Sequence, residues 1–388
     1  MRQIMTDRFR FTWMEFSGSL GDLGLFIPLV VGMTVACGLN LGAVLVWAGL
    51  MNVATGYIFR QPIPVQPMKA MAAVVIAEGM TQDELFAAGM GMGILLIVLS
   101  FFIDKITRLV PKAVVRGIQL GIGLKLALTA FQGLGKLPIG GWDSLGTAVG
   151  VICFLFIFLG RRQPVLLYVF LFGFFVQYRQ SPEVFSSVTV MLPQFDFHWP
   201  SGPAWITGFF RGALPQLPLT LLNSVVAVCA LSADYFPGRG IPPKKMAMSV
   251  GWMNLLCIPF GGIPMCHGSG GLAAQYRFGA RTGASVIMLG LMKILVGLLL
   301  GHTLLELLET YPSAILGPML IFAGIELAKA CGDVCQRRDR GGAAICLVTA
   351  FSIVAVNALT GFMAGSLFSS LVRMREKGKC RDVHAKES

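Results

Sequence analysis

The stretch Gly261–Gly283, GGIPMCHGSGGLAAQYRFGARTG, places a His, a Ser and a cluster of glycines between two strongly apolar runs. In a soluble enzyme such glycines cradle a phosphate. In a membrane protein they open a helix around an ion. The surroundings decide between the two. The chain has 388 residues, of which 55% are hydrophobic and only 13% charged. A soluble domain carries about a quarter of its residues as charges, so this much apolar surface cannot be hidden inside one. Apolar runs of spanning length recur at Leu39–Phe59, Ala87–Ile103, Gly146–Gly160, Val165–Val176, Ser285–Leu300 and Gly341–Val356. The shorter ones suit tilted or interrupted helices. The composition is that of a polytopic, all-α membrane protein embedded in a lipid bilayer.

Arg2, Arg8 and Arg10 precede the first apolar run without a small-residue cleavage site, so no cleavable signal peptide is expected. The nine cysteines are scattered, mostly in apolar runs; Cys331 and Cys335 have no His or second Cys pair beside them. They read as small buried hydrophobes, with no metal and no cofactor expected. The net charge of +12 invites a nucleic-acid reading, but its distribution excludes one. Basic residues cluster at Arg60, at Lys105 to Arg116, at Arg161 and Arg162, at Arg239 to Lys245, at Arg277 and Arg281, at Lys329 to Arg340 and in the tail. The intervening loops carry acids: Glu78, Asp83, Glu84, Asp143, Glu183, Asp196, Glu306 and Glu309. That alternation follows the positive-inside rule. It expects both termini in the cytoplasm and an even number of spans, about fourteen; the plasma (inner) membrane is the expected location.

An internal repeat organises these spans. Ile63-Pro64-Val65-Gln66-Pro67-Met68-Lys69 aligns with Ile263-Pro264-Met265-Cys266-His267-Gly268-Ser269, an offset of 200. Pro111-Lys112-Ala113-Val114-Val115 aligns with Pro312-Ser313-Ala314-Ile315-Leu316 at 201, followed by Gly123 and Gly324. Gly21-Asp22-Leu23-Gly24 faces Pro215-Gln216-Leu217-Pro218 at 194. Three weak matches in order at nearly one offset make a repeat. Seven spans per copy invert the second, an arrangement that marks secondary transporters.

The prolines Pro62, Pro64 and Pro67 keep their segment extended, because each lacks an N–H and disfavours helix in the residue before it. Pro67 suits the first helical position, with helix following over Ala70–Ala77. The partner segment is extended through Ile263-Pro264 and turns helical near Ser269, a good N-cap, continuing through Ala273 to Phe278. With opposed topology, the two half-helix N-termini of spans 3 and 10 face each other and form an anion site. Gly268, Gly270 and Gly271 let a ligand approach the backbone, and Lys69 adds a full charge.

Plainer roles stand beside these. Gly89, Gly93, Gly117 and Gly121 read as packing glycines, and those at 268–271 could be the same. Lys69 could equally pair with Glu15 or Asp22. His267 could be a buried structural His. Lys125 and Glu326, at nearly repeated positions, read as intramembrane partners, either paired or lining a lumen. Lys293 reads as snorkelling.

Three stretches resemble the molybdate transporter family, a branch of the sulfate permease superfamily: Phe16–Gly24; Pro64–Ala70; and Pro264–Ala273 with Gln275–Arg281. The resemblance spans nearly the whole chain. It implies a seven-plus-seven inverted-repeat fold with a core domain over 1–105 and 201–303, a gate domain over 106–200 and 304–375, and a basic tail at 376–388 without the STAS domain of ordinary sulfate permeases. It implies a substrate between spans 3 and 10, and a homodimer as the expected assembly. The expected contacts are Gln66, Pro67, Met68, Lys69 and Ala70 from one copy, and Cys266, His267, Gly268, Ser269, Gly270 and Gly271 from the other. Gln216 and Asn223 on the eighth span, and Asp22 on the first, complete the wall. Asp22, Glu15 and His267 are the candidate proton-coupling sites; co-transported protons would offset the cost of moving a dianion against a negative-inside potential. The expected activity is import of molybdate by an elevator-like step. A sulfate permease, an anion channel and a nucleobase transporter are the rivals on the same fold. An intramembrane hydrolase on His267 and Ser269 lacks an elbow motif and an acid partner.

Overall fold

The computed structural model describes residues 9–20, 23–103, 105, 111–158, 165–186, 192–300, 307, 310–329, 331–332 and 340–387. Apolar runs with capping residues at their heads give helices: α1 (Trp13–Ser19), α2 (Leu23–Cys37), α3 (Leu41–Phe59), a strand β1 (Val65–Pro67), α4 (Lys69–Glu78), α5 (Gln82–Ser100), α6 (Lys112–Leu134), α7 (Leu145–Phe158) and α8 (Val165–Gln180). The second half runs α9 (Gly202–Tyr235), α10 (Pro243–Cys257), β2 (Met265–His267), α11 (Ser269–Arg277), α12 (Ala284–Leu300), α13 (Ser313–Lys329), α14 (Arg340–Ala355) and α15 (Ala358–Glu387). Four of these helices, α3, α5, α6 and α9, are each long and apolar enough to cross a membrane.

The helix starts have local causes. Thr81 and Glu84 form a capping box at the head of α5, each side chain taking the other's backbone N–H. The Asn40 side chain accepts from the Ala43 N–H at the head of α3. Asp143 reaches across from another segment to accept from the N–H groups of Ser313 and Ala314 at the head of α13. α9 runs unbroken through Pro215 and Pro218 because it widens to π-helix over Phe209–Ala213 and Thr220–Ala227, on either side of them. A proline removes an N–H and crowds the preceding turn; a wider turn absorbs both.

Two expectations about helix starts change. Pro67 belongs to β1, and α4 begins at Lys69, because the Met68 N–H is engaged by the Pro264 carbonyl at 2.9 Å. Gly268 is the N-cap of α11, and Ser269 is its first helical residue. The Ser269 hydroxyl donates outward to α9 and so does not cap its own helix.

Packing crosses between the halves: α3 lies on α12, α5 on α10, and both α13 and α14 on α6. Glycines set the closest approaches. A Cβ on Gly49 of α3 would lie 2.5 Å from the Gly290 carbonyl of α12, and one on Gly290 would lie 2.5 Å from the Gly49 carbonyl. Such small-residue seams are how helices pack where water supplies no drive. Gly93 and Gly117 serve likewise against Gly251 and Cys346. Large apolar side chains also point outward, among them Ile58, Phe101, Ile157, Leu295 and Phe351, as a lipid-facing surface requires.

Candidate oxyanion site

Two strands 200 residues apart in sequence form the floor. β1 and β2 pair antiparallel in the register Val65↔His267, Gln66↔Cys266 and Pro67↔Met265. A two-stranded ribbon this short needs outside support, and two buried asparagines give it. Asn52 of α3 accepts from the Val65 N–H at 2.8 Å. Asn254 of α10 accepts from the Met265 N–H at 2.8 Å and donates to the Met265 carbonyl at 2.7 Å. A free carboxamide in an apolar helix is costly to bury, and here each is spent on strand backbone that would otherwise be orphaned.

The ribbon delivers α4 and α11 with their N-termini side by side. The Lys69 ammonium nitrogen lies 3.9 Å from where a Cβ on Gly270 would stand. Gly268 is required for space: a Cβ there would overlap Gln66 Oε1. The third wall is α9. Gln216 Oε1 accepts from the N–H groups of Ala70 at 2.8 Å and Met71 at 3.2 Å, while its Nε2 donates to Thr220 Oγ1 at 2.8 Å. Two turns along, Asn223 Oδ1 accepts the Ser269 hydroxyl at 2.6 Å. Of the two carboxamides that meet the half-helices, Gln216 lies between the π-helical turns and Asn223 within the second of them.

This arrangement is asymmetric. At the head of α4, Met68 gives its N–H to Pro264, and Ala70 and Met71 give theirs to Gln216. The expectation that the N–H groups from Met68 to Ala70 hold an anion is revised accordingly. At the head of α11, the first intrahelical bond comes from the Leu272 N–H, leaving Gly270 and Gly271 in the first turn with no intrahelical acceptor for theirs. Accessibility follows the same division. Lys69, Asn223 and Ser269 are half-buried and Gly270 is exposed, whereas Gln66, Pro67, Met68, Ala70, Gln216, Cys266, His267, Gly268 and Gly271 are buried. What the site presents is one ammonium, one hydroxyl and the positive end of α11.

Other residues singled out from sequence lie elsewhere. His267 is fully buried, with Nε2 3.0 Å from Ser249 Oγ and its ring edge-on to Phe59. Strand alternation turns it to the face opposite Cys266 and Gln66. Glu15 accepts the N–H groups of Arg281 and Thr282, both at 3.0 Å, ahead of α12. Asp22 lies outside the described residues, as does the Glu326 side chain. Lys125 pairs with Glu78 at 2.8 Å and donates to the Val356 carbonyl. Lys293 does not snorkel: it is 4% exposed, with its ammonium 3.4 Å from the centroid of the Phe26 ring. Asn52, Asn254, Thr220 and Ser249 escaped sequence reading. Asn52 and Asn254 are polar residues in apolar helices at an offset of 202, close to the repeat, which was the available clue.

Comparison with known proteins gives the family and the fold. A family model described as "Molybdate transporter of MFS superfamily" matches residues 14–126 and 208–327, which include α4, α11 and the part of α9 that carries Gln216 and Asn223. Molybdate transporter 1 of Arabidopsis thaliana is 37% identical over 96% of this chain and 91% of its own length. Molybdate transporter 1 of Chlamydomonas reinhardtii is 33% identical over 91% of this chain and 90% of its own. Among solved structures, the transmembrane domain of the cyanobacterial bicarbonate transporter BicA superposes with a TM-score of 0.67 at 16% identity, covering 91% of this chain and 98% of that one. SLC26A9 superposes with a TM-score of 0.69 at 14% identity, covering 94% of this chain and 65% of that one. The fold is therefore the one these structures share with this chain, and the chain belongs to the molybdate transporter family.

Proposed function

We propose that this chain is a membrane carrier, not an enzyme, and that it transports a tetrahedral oxyanion, molybdate foremost. The observation that carries the reading is the Lys69 ammonium set against Gly270 at the head of α11. A dianion seated there meets one full charge, the Ser269 hydroxyl turned from Asn223, and the N–H groups of Gly270 and Gly271. Fixed dipoles with a single cation bind a dianion without the grip that several full charges would exert, so it can also leave. The Arabidopsis and Chlamydomonas relatives, named as molybdate transporters, supply the substrate.

The chain would work as a seven-plus-seven inverted repeat. Supporting this, the strands of the two broken spans pair antiparallel, and α3–α12 and α5–α10 exchange partners between halves. A core of residues 1–105 and 201–303 would carry the site past a gate of 106–200 and 304–375 in an elevator-like step. Proton coupling and homodimer formation complete the proposed mechanism, with both termini cytoplasmic and the plasma membrane as its location.

Calorimetric titration of the purified protein tests the reading. Molybdate and tungstate should bind well ahead of sulfate, chloride and uracil. Equal binding of sulfate would move the assignment to a general sulfate-type permease. Binding of uracil, or of no oxyanion by a well-folded preparation, would overturn the anion site.

A further inference from the structure

Away from the site, two thiols meet inside the second half of the chain. Cys331 sits in the turn after α13, its N–H bonded to the Ala328 carbonyl, and Cys346 lies on α14. Their Sγ atoms are 3.0 Å apart. Both residues are buried, Cys331 at 7% exposed and Cys346 at 1%. A disulfide needs about 2.05 Å between sulfurs, so bond formation asks for a shift of about 1 Å, within reach of side-chain rotation. The partner cysteine of the sequence pair, Cys335, lies outside the described residues.

We propose that Cys331 and Cys346 form a reversible, oxidant-sensitive disulfide. Cys331, the more exposed, reacts first: its sulfur attacks an oxygen of hydrogen peroxide, the O–O bond breaks, and a sulfenic acid and one water result. Cys346 sulfur then attacks the sulfenic sulfur, and hydroxide leaves as the second water. In sum, two thiols and one peroxide give one disulfide and two waters; a dithiol reductant reverses it. Burial around the pair favours closure over further oxidation, because the resolving sulfur is already in contact.

The location gives the bond a structural effect. α13 and α14 both pack on α6, and the Cys346 carbonyl is part of that seam, 2.7 Å from where a Cβ on Gly117 of α6 would stand. α6 carries Lys125, which bonds Glu78 at the far end of the half-helix α4. A Cys331–Cys346 bond cross-braces the two helices that hold α6. It therefore stiffens the face against which α4 rests while leaving the Lys69–Ser269 space untouched.

The test uses the full chain in detergent, treated with hydrogen peroxide, alkylated and digested without reductant. The expected result is a Cys331–Cys346 linked peptide, two hydrogens lighter than the sum of its parts, that dithiothreitol removes. The apparent Tm should rise with peroxide, fall back with dithiothreitol, and lose this reversible shift in Cys331→Ser. Recovery of both cysteines singly alkylated, of Cys331 as sulfinic acid, or of either in another disulfide would overturn the proposal. Should the serine variant fail to fold, the mass measurement on the unaltered chain decides alone.

Discussion

Replacing Lys69 by methionine removes one charge and keeps most of the side-chain volume. The ammonium stands beside Gly270 at the mouth of α11, half-buried. Between unit charges about 4 Å apart, Coulomb's law gives about 1 kcal/mol in water and about 4 kcal/mol at an effective dielectric of about 20. Charge-assisted hydrogen bonds are worth about 1.5–3 kcal/mol net. Partial exposure selects the lower part of these ranges, about 1.5–2 kcal/mol, which is roughly a 10- to 30-fold rise in Kd. Calorimetry on Lys69→Met against the unaltered chain, with molybdate as titrant, measures this, and a thermal melt run in parallel confirms the fold. A shift below about threefold in a normally melting protein would refute the placement of the anion beside Lys69.

Gln216→Glu should separate stability from binding: a carboxylate facing the Ala70 and Met71 N–H groups strengthens the head of α4, so Tm holds or rises, while oxyanion affinity falls at least about tenfold through like-charge repulsion. Asn254→Leu leaves the Met265 N–H and carbonyl buried without partners and should cost about 1–3 kcal/mol per group, seen as a lower Tm; Asn52→Leu, which orphans one N–H, should cost less. Gly268→Ala should disrupt folding or binding because its Cβ meets Gln66, whereas Gly270→Ala should melt normally; equal melts for the two would contradict the tight floor. Gly290→Ala should lower stability by about 1–3 kcal/mol through the α3–α12 seam, read by thermal melting.

What could be read from the sequence was what is local. Pro62, Pro64 and Pro67 dictate an extended segment by their own rings, and Ile263-Pro264 repeats the effect. Lys69 and Ser269 could be placed at helix starts for that reason, to within one or two residues. Contacts between distant segments were not legible in this way. No periodicity announces that β1 and β2 will pair, and their pairing is what moved the start of α4 past Pro67. His267 looked like a ligand because it borders the break; strand alternation, fixed by the register with Val65, turned it toward Ser249. Lys125 found Glu78, on an element the repeat does not relate to it. The widening of α9 around Pro215 and Pro218 had no counterpart in the sequence reading; π-helical turns let the helix continue and set Gln216 against α4.

The hydrogen-bonded ribbon of β1 and β2 has a thermodynamic corollary. It couples α4 to α11 through backbone bonds, so any displacement of one half-helix carries the other with it. In the proposed elevator-like step, the ammonium and the helix end would then keep their mutual spacing on both faces of the bilayer. A binding pocket transported as a unit offers its occupant the same well at either end of the journey. In the proposed carrier such a device would supply no bias of its own; net flow would follow the voltage and the concentrations of cargo and coupled protons on the two sides.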